Sequence, residues 1–489
     1  MTPRHLTPAP WKDPAVPRDL PPGFRFGAAT SAYQVEGAWD ADGKGPSIWD
    51  EFTSRPGVIR NGDTGRVAID HYHRYAEDAA LLTGLDDYRF SISWPRVVPG
   101  GTGPVNPAGL DFYDRLVDAL LAAGVRPVPT LYHWDLPLAL QADGGWLDRR
   151  TAHAFADYAG HVVDRLGDRV HDWLTLNEIN VHTLYGHGLT DHAPALGLGL
   201  GALAAGHHQL LAHGLGTAVL RAAGPGHRVG IAQQHFPVEA ASDAPEDVAA
   251  AELFRVVTNW AYSDPILLGR YPEGVEELLP VHGGALDADL AVIAAPLDVY
   301  GVNYYEPARV EAPRAGKDYR GVMEVDVPDG LPFSPVPVDC AERTDFGWAV
   351  VPEALTAVLV ALRDRYPGLP PVVVTEFGAS YRDPDPDPVT GRVADPRRVA
   401  FLDAHLGAVA DAVAAGVDVR GAYVWSAFDN VEWAAGFEER FGLVHVDRAT
   451  QARTPKDSWS WWLGVSAEQR ARDAAAGRRT PPPAAAPVP

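Results

Sequence analysis

One cysteine, Cys340, occurs among 489 residues. No disulfide can close within the chain, and no zinc site can be built on thiolates. Lysine is confined to Lys12, Lys44, Lys317 and Lys456 while Arg and Ala abound, a bias that reads as genome composition. Basic side chains are outnumbered, 41 against 64 acidic, for a net charge of -23 at pH 7. Phosphate backbones and anionic bilayers bind positive patches, so neither nucleic acid nor a membrane surface is an expected partner. No run of about 18 uncharged apolar residues occurs, which excludes a membrane-spanning helix. The opening MTPRHLTPAPWKDPAVPRDLPP has no apolar signal core, and the expected location is the cytoplasm. A Gly-rich phosphate loop is also missing: the first strand-like run opens into FGAATSAYQ, not G-x-G-x-x-G.

What is present suffices for a large core, with 46% hydrophobic residues. Residues 1–22 are Pro-rich and residues 464–489 are rich in Ala, Arg and Pro; both segments read as loosely ordered or disordered. Residues 23–463 contain no linker and read as one domain. Within it FRFGAAT (24–30), YRFSIS (88–93), RPVPTLY (126–132), VHDWLTLN (170–177), HRVGIAQ (227–233), DVYGVNYY (298–305), PVVVTE (371–376) and RGAYVWSAF (420–428) read as strands. Helical periodicity fills the gaps, as in 109–124, 151–167 and 352–368. Alternating strands and helices imply parallel pairing through right-handed crossovers. The fold class expected is α/β, a single-domain (β/α)8 TIM barrel with elaborated loops after its strands. A doubly wound open sheet is the alternative, weakened by the missing phosphate loop.

In such a barrel, chemistry sits at the carboxyl ends of the strands. Here those ends carry polar and aromatic groups: Gln34 after the first, Arg89 on the second, His133 and Trp134 after the third, Asn177 and Glu178 on the fourth. Asn303 and Tyr305 end the sixth, Glu376 the seventh and Trp425 the eighth. Glu178 and Glu376 are far apart in sequence, and a closed barrel brings their strand ends together across its mouth. A lone strand-end Glu is usually solvated or ion-paired. Two carboxyls facing a sugar-sized pocket are what glycosidic bond cleavage requires, one to protonate the leaving oxygen and one to stabilise the oxocarbenium-like centre.

The segments FRFGAATSAYQVEGAW (24–39), RFSISWPR (89–96), LYHWDLP (131–137), TLNE (175–178), GVNYY (301–305), TEFG (375–378) and WSAFDNVEWAAGFEERFGL (425–443) together resemble the family 1 glycoside hydrolases, the β-glucosidase family. The resemblance runs in order from about 24 to 462. It implies a retaining double displacement on a small neutral β-glycoside or oligosaccharide, without cofactor or metal. Glu376 would be the nucleophile and Glu178 the acid and then the base, with carboxyls about 5–5.5 Å apart. Arg89 and Tyr305 would hold Glu376 ionised, and its charge would keep Glu178 protonated until the ester forms. Asn177 would bind the sugar 2-hydroxyl. Gln34, His133, Glu432 and Trp433 would contact the outer hydroxyls, with Trp134 and Asn303 beside them. Trp425 would be the stacking platform, Phe441 the pocket wall, and Trp348 the leaving-group side. Glu432 stands where phospho-sugar enzymes of the family carry a phosphate clamp, and a carboxylate there repels phosphate. Two residues depart from the family pattern: Ile179 replaces a Pro after the acid, and Phe377 replaces an Asn after the nucleophile. A sugar-binding protein without turnover is the alternative, and it would need one of the two glutamates lost or displaced.

His71, His73, His207, His208 and His213 show no converging ligand pattern and read as packed or hydrogen-bonded. The acidic stretches 242–252 and 381–388 read as solvated loops, the latter placed to rim the pocket.

Overall fold

The β-rich runs become the eight strands of a closed barrel. In the computed structural model, which describes residues 19–323, 325 and 330–477, these are β1 (Arg25–Ala29), β2 (Asp87–Ser91), β3 (Arg126–Tyr132), β4 (Asp172–Asn177), β5 (Arg228–Gln234), β6 (Val299–Tyr304), β7 (Val372–Phe377) and β8 (Val419–Trp425). Each pairs in parallel with its neighbours in chain order, and β8 closes on β1 with Ala29 opposite Trp425. Closure rules out the open sheet.

The helices follow the sequence periodicity. They include α1 (Pro107–Ala122), α2 (Arg150–Leu166), α3 (Leu203–Ala223), α4 (Pro352–Arg365), α5 (Pro396–Ala414) and α6 (Asp457–Ala475). On α2, Ala152, Phe155, Ala159, Val162, Val163 and Leu166 are buried. That spacing of three and four residues lays one apolar stripe against the barrel. A separate small cluster of Val128, Leu174, Ala232 and Val299 comes from β3 to β6.

The amino end of the barrel is floored by charge. Asp87 accepts from Arg126 Nε at 2.7 Å and from the Tyr423 hydroxyl at 2.6 Å, while Asp172 accepts from Arg228 Nη2 at 2.6 Å. Arg25 lies between them, 3.3 Å from Asp87 and 3.4 Å from Asp172. These charges leave the opposite end of the barrel free for chemistry.

Two strands break register where they reach that end. β4 shifts against β5 between Leu174 and Asn177, and β7 shifts against β6 between Val374 and Glu376. Such bulges re-aim side chains, and these stand where Asn177, Glu178 and Glu376 emerge. Gly378 follows at once; a Cβ there would meet the Trp425 carbonyl oxygen at 1.8 Å, so the backbones of β7 and β8 approach as only glycine allows.

Two expectations are corrected. Residues 464–475 are not a disordered tail: α6 runs through them, burying Val465, Ser466, Gln469 and Asp473. Asp473 Oδ2 also accepts from Gly23 N at 2.9 Å, tying the helix to the start of β1. Composition hid this because Ala and Arg are also good helix formers. Residues 1–18 and 478–489 lie outside the described residues. The acidic stretch 242–252 is not a solvated loop either. Most of it is the helix Pro245–Arg255, whose buried Asp247 accepts from Arg314 Nη2 at 2.9 Å and Ala312 N at 3.0 Å. This helix packs on a small sheet formed by Val238–Ala240, Ala308–Glu311 and Ser334–Val336. Among the described residues, no helix is long and apolar enough to cross a membrane.

Candidate active site

Glu178 and Glu376 open into one cavity of about 630 Å3 at the carboxyl end of the barrel. Both are buried, at 4% and 3% exposure, which for a carboxyl demands partners. For Glu376 these are the Arg89 guanidinium, which donates to Oε1, and the Tyr305 hydroxyl, which donates to Oε2 at 2.6 Å. Arg89 is aimed by Thr130 Oγ1 (3.1 Å), the Thr375 carbonyl (3.2 Å) and Asn177 Oδ1 (2.6 Å). Asn303 links the halves of the site. Its Nδ2 donates to Glu178 Oε1 at 2.7 Å and Asn177 Oδ1 at 3.1 Å, and its Oδ1 accepts from Thr375 Oγ1 at 2.6 Å.

Glu178 holds its place at a conformational cost. Its φ of 47° and ψ of 59° are left-handed. Its N–H donates to Ala232 O at 2.8 Å, which ties the residue to β5 before the chain turns into a short helix. A left-handed non-glycine residue costs on the order of 1–3 kcal/mol and survives where the surroundings over-determine it. Trp134, with φ 76°, is a second such residue, and its Nε1 donates to Asn177 O at 2.9 Å.

His133, Trp134, Trp425, Glu432 and Trp433 line the cavity together with Tyr305, Trp348 and Phe441. His133 lies near-parallel to Trp425 and Trp433, each with centroids 5.8 Å away. Trp348 meets Tyr305 at 5.2 Å and Phe441 at 5.5 Å, and Trp425 packs in the same cluster. Arg89, Asn177, Asn303 and Gln34 stand directly behind the wall, each bonded to a residue on it. Gln34 is fully buried; its Nε2 donates to Val431 O at 2.7 Å and reaches Glu432 Oε2 at 3.5 Å, and its Oε1 accepts from Ser31 Oγ at 2.5 Å.

Burial and neighbours pull the titrating groups in opposite directions. Burial raises the pKa of Glu376, while Arg89, Tyr305 and Asn303 lower it, and the net shift is upward. Arg89 and Tyr305 both bond Glu376, yet desolvation outweighs their pull toward the ionised form. The Tyr305 phenol is pushed well up by burial and by Glu376 and Glu178, so it remains a donor. His133 is pushed well down by burial and then by Arg89. It is neutral, and since Asn177 Nδ2 donates to its Nε2 at 3.1 Å, the ring proton sits on Nδ1.

The two departures from the family pattern are both buried. Ile179 opens a one-turn helix, and Phe377 packs behind Glu376 against Trp462, with centroids at 5.9 Å. The histidines noted in the sequence find internal partners: His71 with Asp78, His73 with Asp70, His207 with Tyr271 and Asp289, His208 with Trp146 O and His213 with Thr175. In the stretch 381–388, Asp383 is buried against Arg398 and Lys456, which corrects its reading as solvated.

Sequence reasoning misses Thr130 and Thr375, which read as ordinary strand residues; only the fold brings them against Arg89 and Asn303. Tyr185, His192 and Gln234 also line the cavity. The first two sit in an irregular stretch after β4 whose sequence has no usable period.

Residues 16–471 match a family model described as "Glycosyl hydrolase family 1". The chain is 44% identical over 465 residues to "Thermostable beta-glucosidase B" of Thermobispora bispora, covering 93% of this chain and 92% of the relative. It is 43% identical to the "Bifunctional beta-D-glucosidase/beta-D-fucosidase" of Bifidobacterium breve, covering 93% and 99%. Among solved structures it is similar to the family 1 β-glucosidase of Thermotoga maritima in complex with isofagomine lactam, at 40% identity and a TM-score of 0.84, covering 92% of this chain and 99% of that one.

Proposed function

This chain belongs to glycosyl hydrolase family 1, and within that membership we propose that Glu376 is its nucleophile and Glu178 its acid and base. The protein is a retaining glycoside hydrolase of the β-glucosidase type. The observation that carries the assignment of roles is the asymmetric hold on the two carboxyls. Glu376 receives a guanidinium and a phenol, the donors a nucleophilic carboxylate needs. Glu178 receives a neutral amide from Asn303, a partner that tolerates the protonated acid.

In the first step a Glu376 oxygen bonds to the anomeric carbon as the bond to the aglycone oxygen breaks, and the Glu178 proton goes to that oxygen. In the second, water attacks the same carbon, gives its proton to Glu178 and returns Glu376 as carboxylate. Asn177 uses Oδ1 to accept from Arg89 and Asn303 and one Nδ2 hydrogen to reach His133, which leaves the other hydrogen for a sugar 2-hydroxyl. Trp425 serves as the stacking platform, with Trp433, Glu432 and His133 on the cavity wall for the outer hydroxyls and Gln34 behind them, reaching Glu432. Carboxyls of Glu178, Glu306, Glu376 and Glu432 all line the cavity, which favours a neutral substrate over a phosphorylated one. A reducing cytoplasm suits a chain whose single cysteine can form no internal disulfide.

The test is an aryl β-glucoside offered without added metal or cofactor. Phenol is released, and NMR detects β-glucose before mutarotation; α-glucose as first product would refute retention here. A pH profile probes the nucleophile. Since its pKa is raised, Glu376 becomes protonated, and activity is lost, as pH falls through a value above the ordinary 4.5. The acid limb of kcat/KM therefore lies above pH 4.5, and Tyr305→Phe, which removes a donor to the anion, moves it higher. A limb that stays put in that variant counts against the assignment.

A further inference from the structure

At the end of β4, Asn177 pairs with Ala232 of β5, and the Glu178 N–H donates to Ala232 O at 2.8 Å. In a parallel ladder the next rung would run from the Asn180 N–H to Gln234 O, two residues further along each strand. The backbone leaves the ladder before reaching it, because Glu178 turns left-handed (φ 47°, ψ 59°) and Ile179–Val181 coil into one helical turn. Asn180 supplies the rung from its side chain. Its Nδ2 donates to Gln234 O at 2.9 Å, and the second Nδ2 hydrogen goes to Thr258 O, also at 2.9 Å, in the helical segment Val256–Trp260.

Asn180 is buried and does not line the catalytic cavity, so its amide is spent on holding the chain and not on substrate. Ile179, between the two rungs, adds no donor and lacks the fixed φ of a proline. The direction in which the chain leaves Glu178 therefore depends on Asn180. Resting on the catalytic reading above, we propose that Asn180 is a positioning residue for the acid: its carboxamide clamps the turn after Glu178 to β5 and to Val256–Trp260, and so keeps the Glu178 carboxyl within reach of the leaving oxygen. Glu376 does not share this support, since its partners Arg89 and Tyr305 come from β2 and the end of β6. The consequence is selective. Proton donation requires hydrogen-bond reach, and a misplacement of about 1 Å can cost on the order of 100-fold, whereas attack by Glu376 on a substrate with a good leaving group needs no proton.

Asn180→Leu, close in shape but without donors, tests this through kcat/KM, which reports formation of the glycosyl-enzyme. The expected result is a loss of at least about tenfold on phenyl β-glucoside and of less than about threefold on dinitrophenyl β-glucoside. The ratio between the two substrates does not depend on the folded fraction, and Asn180→Ala provides a second variant. Added to Glu178→Gln, Asn180→Leu should slow the phenyl glucoside by less than about a further threefold, because a residue that acts through Glu178 has little left to act on. Equal losses on both leaving groups, no loss on either, or the full loss repeated in the double variant overturns the proposal. Failure of both single variants to fold would assign Asn180 to the fold alone and overturns it equally. These outcomes leave the catalytic reading standing as long as Glu178→Gln by itself separates good from poor leaving groups. If it does not, that reading falls and takes this one with it.

Discussion

Replacing Glu376 with Ala lowers kcat for an aryl β-glucoside by on the order of 10⁵-fold, because no other group can form the glycosyl ester. The fold is expected to survive, since Arg89 keeps Thr130, the Thr375 carbonyl and Asn177 as partners. The space vacated by the carboxyl admits a small anion next to Arg89. Azide should therefore restore measurable turnover and give the α-glucosyl azide, because it attacks from the face Glu376 occupied. The product anomer, read by NMR, decides the matter. A β-azide, or no rescue in a variant shown to be folded, would move the nucleophile elsewhere.

Glu178→Gln has a different signature. General acid catalysis contributes about 10²–10⁴-fold, and its loss matters only where the leaving group needs the proton. The variant should form the glycosyl-enzyme from a dinitrophenyl glucoside at nearly the normal rate, yet slow by that full factor on a methyl or phenyl glucoside. Hydrolysis of the intermediate also slows, so the ester accumulates and a burst of dinitrophenol precedes steady turnover. Equal slowing on good and poor leaving groups would remove Glu178 from the acid role. Gln is the informative substitute because it keeps the shape that Asn303 Nδ2 meets at 2.7 Å, although its amide must present oxygen to that donor.

The barrel is legible because its signals are local. Runs such as PVVVTE combine β-branched residues with a polar end, and the stripe on α2 repeats at helical spacing. Both carboxyls can be named because polar residues at strand ends have little structural reason to be there. Less legible are features that depend on register. The bulges before Asn177 and Glu376 leave no mark in composition, so the aim of those side chains follows from the resemblance and not from the pattern. Thr375, which fixes Asn303, reads as an ordinary strand residue. The stretch around Tyr185 and His192 is opaque for another reason: a widened helical turn has no periodicity that a sequence window detects. The tail beyond 464 misleads because Ala and Arg suit both a helix and a disordered segment, and burial of Asp473 decides between them.

The bond from Gly23 to Asp473 spans 450 positions, and it bears on how the protein is made. On the ribosome, β1 emerges early but can pair only with β2 until β8 has been synthesised. During that interval one side of the growing sheet presents unsatisfied backbone groups. The seam joining first strand to last cannot be completed until nearly all of the chain has been released, so translation is expected to pass through an open, association-prone intermediate before the barrel closes.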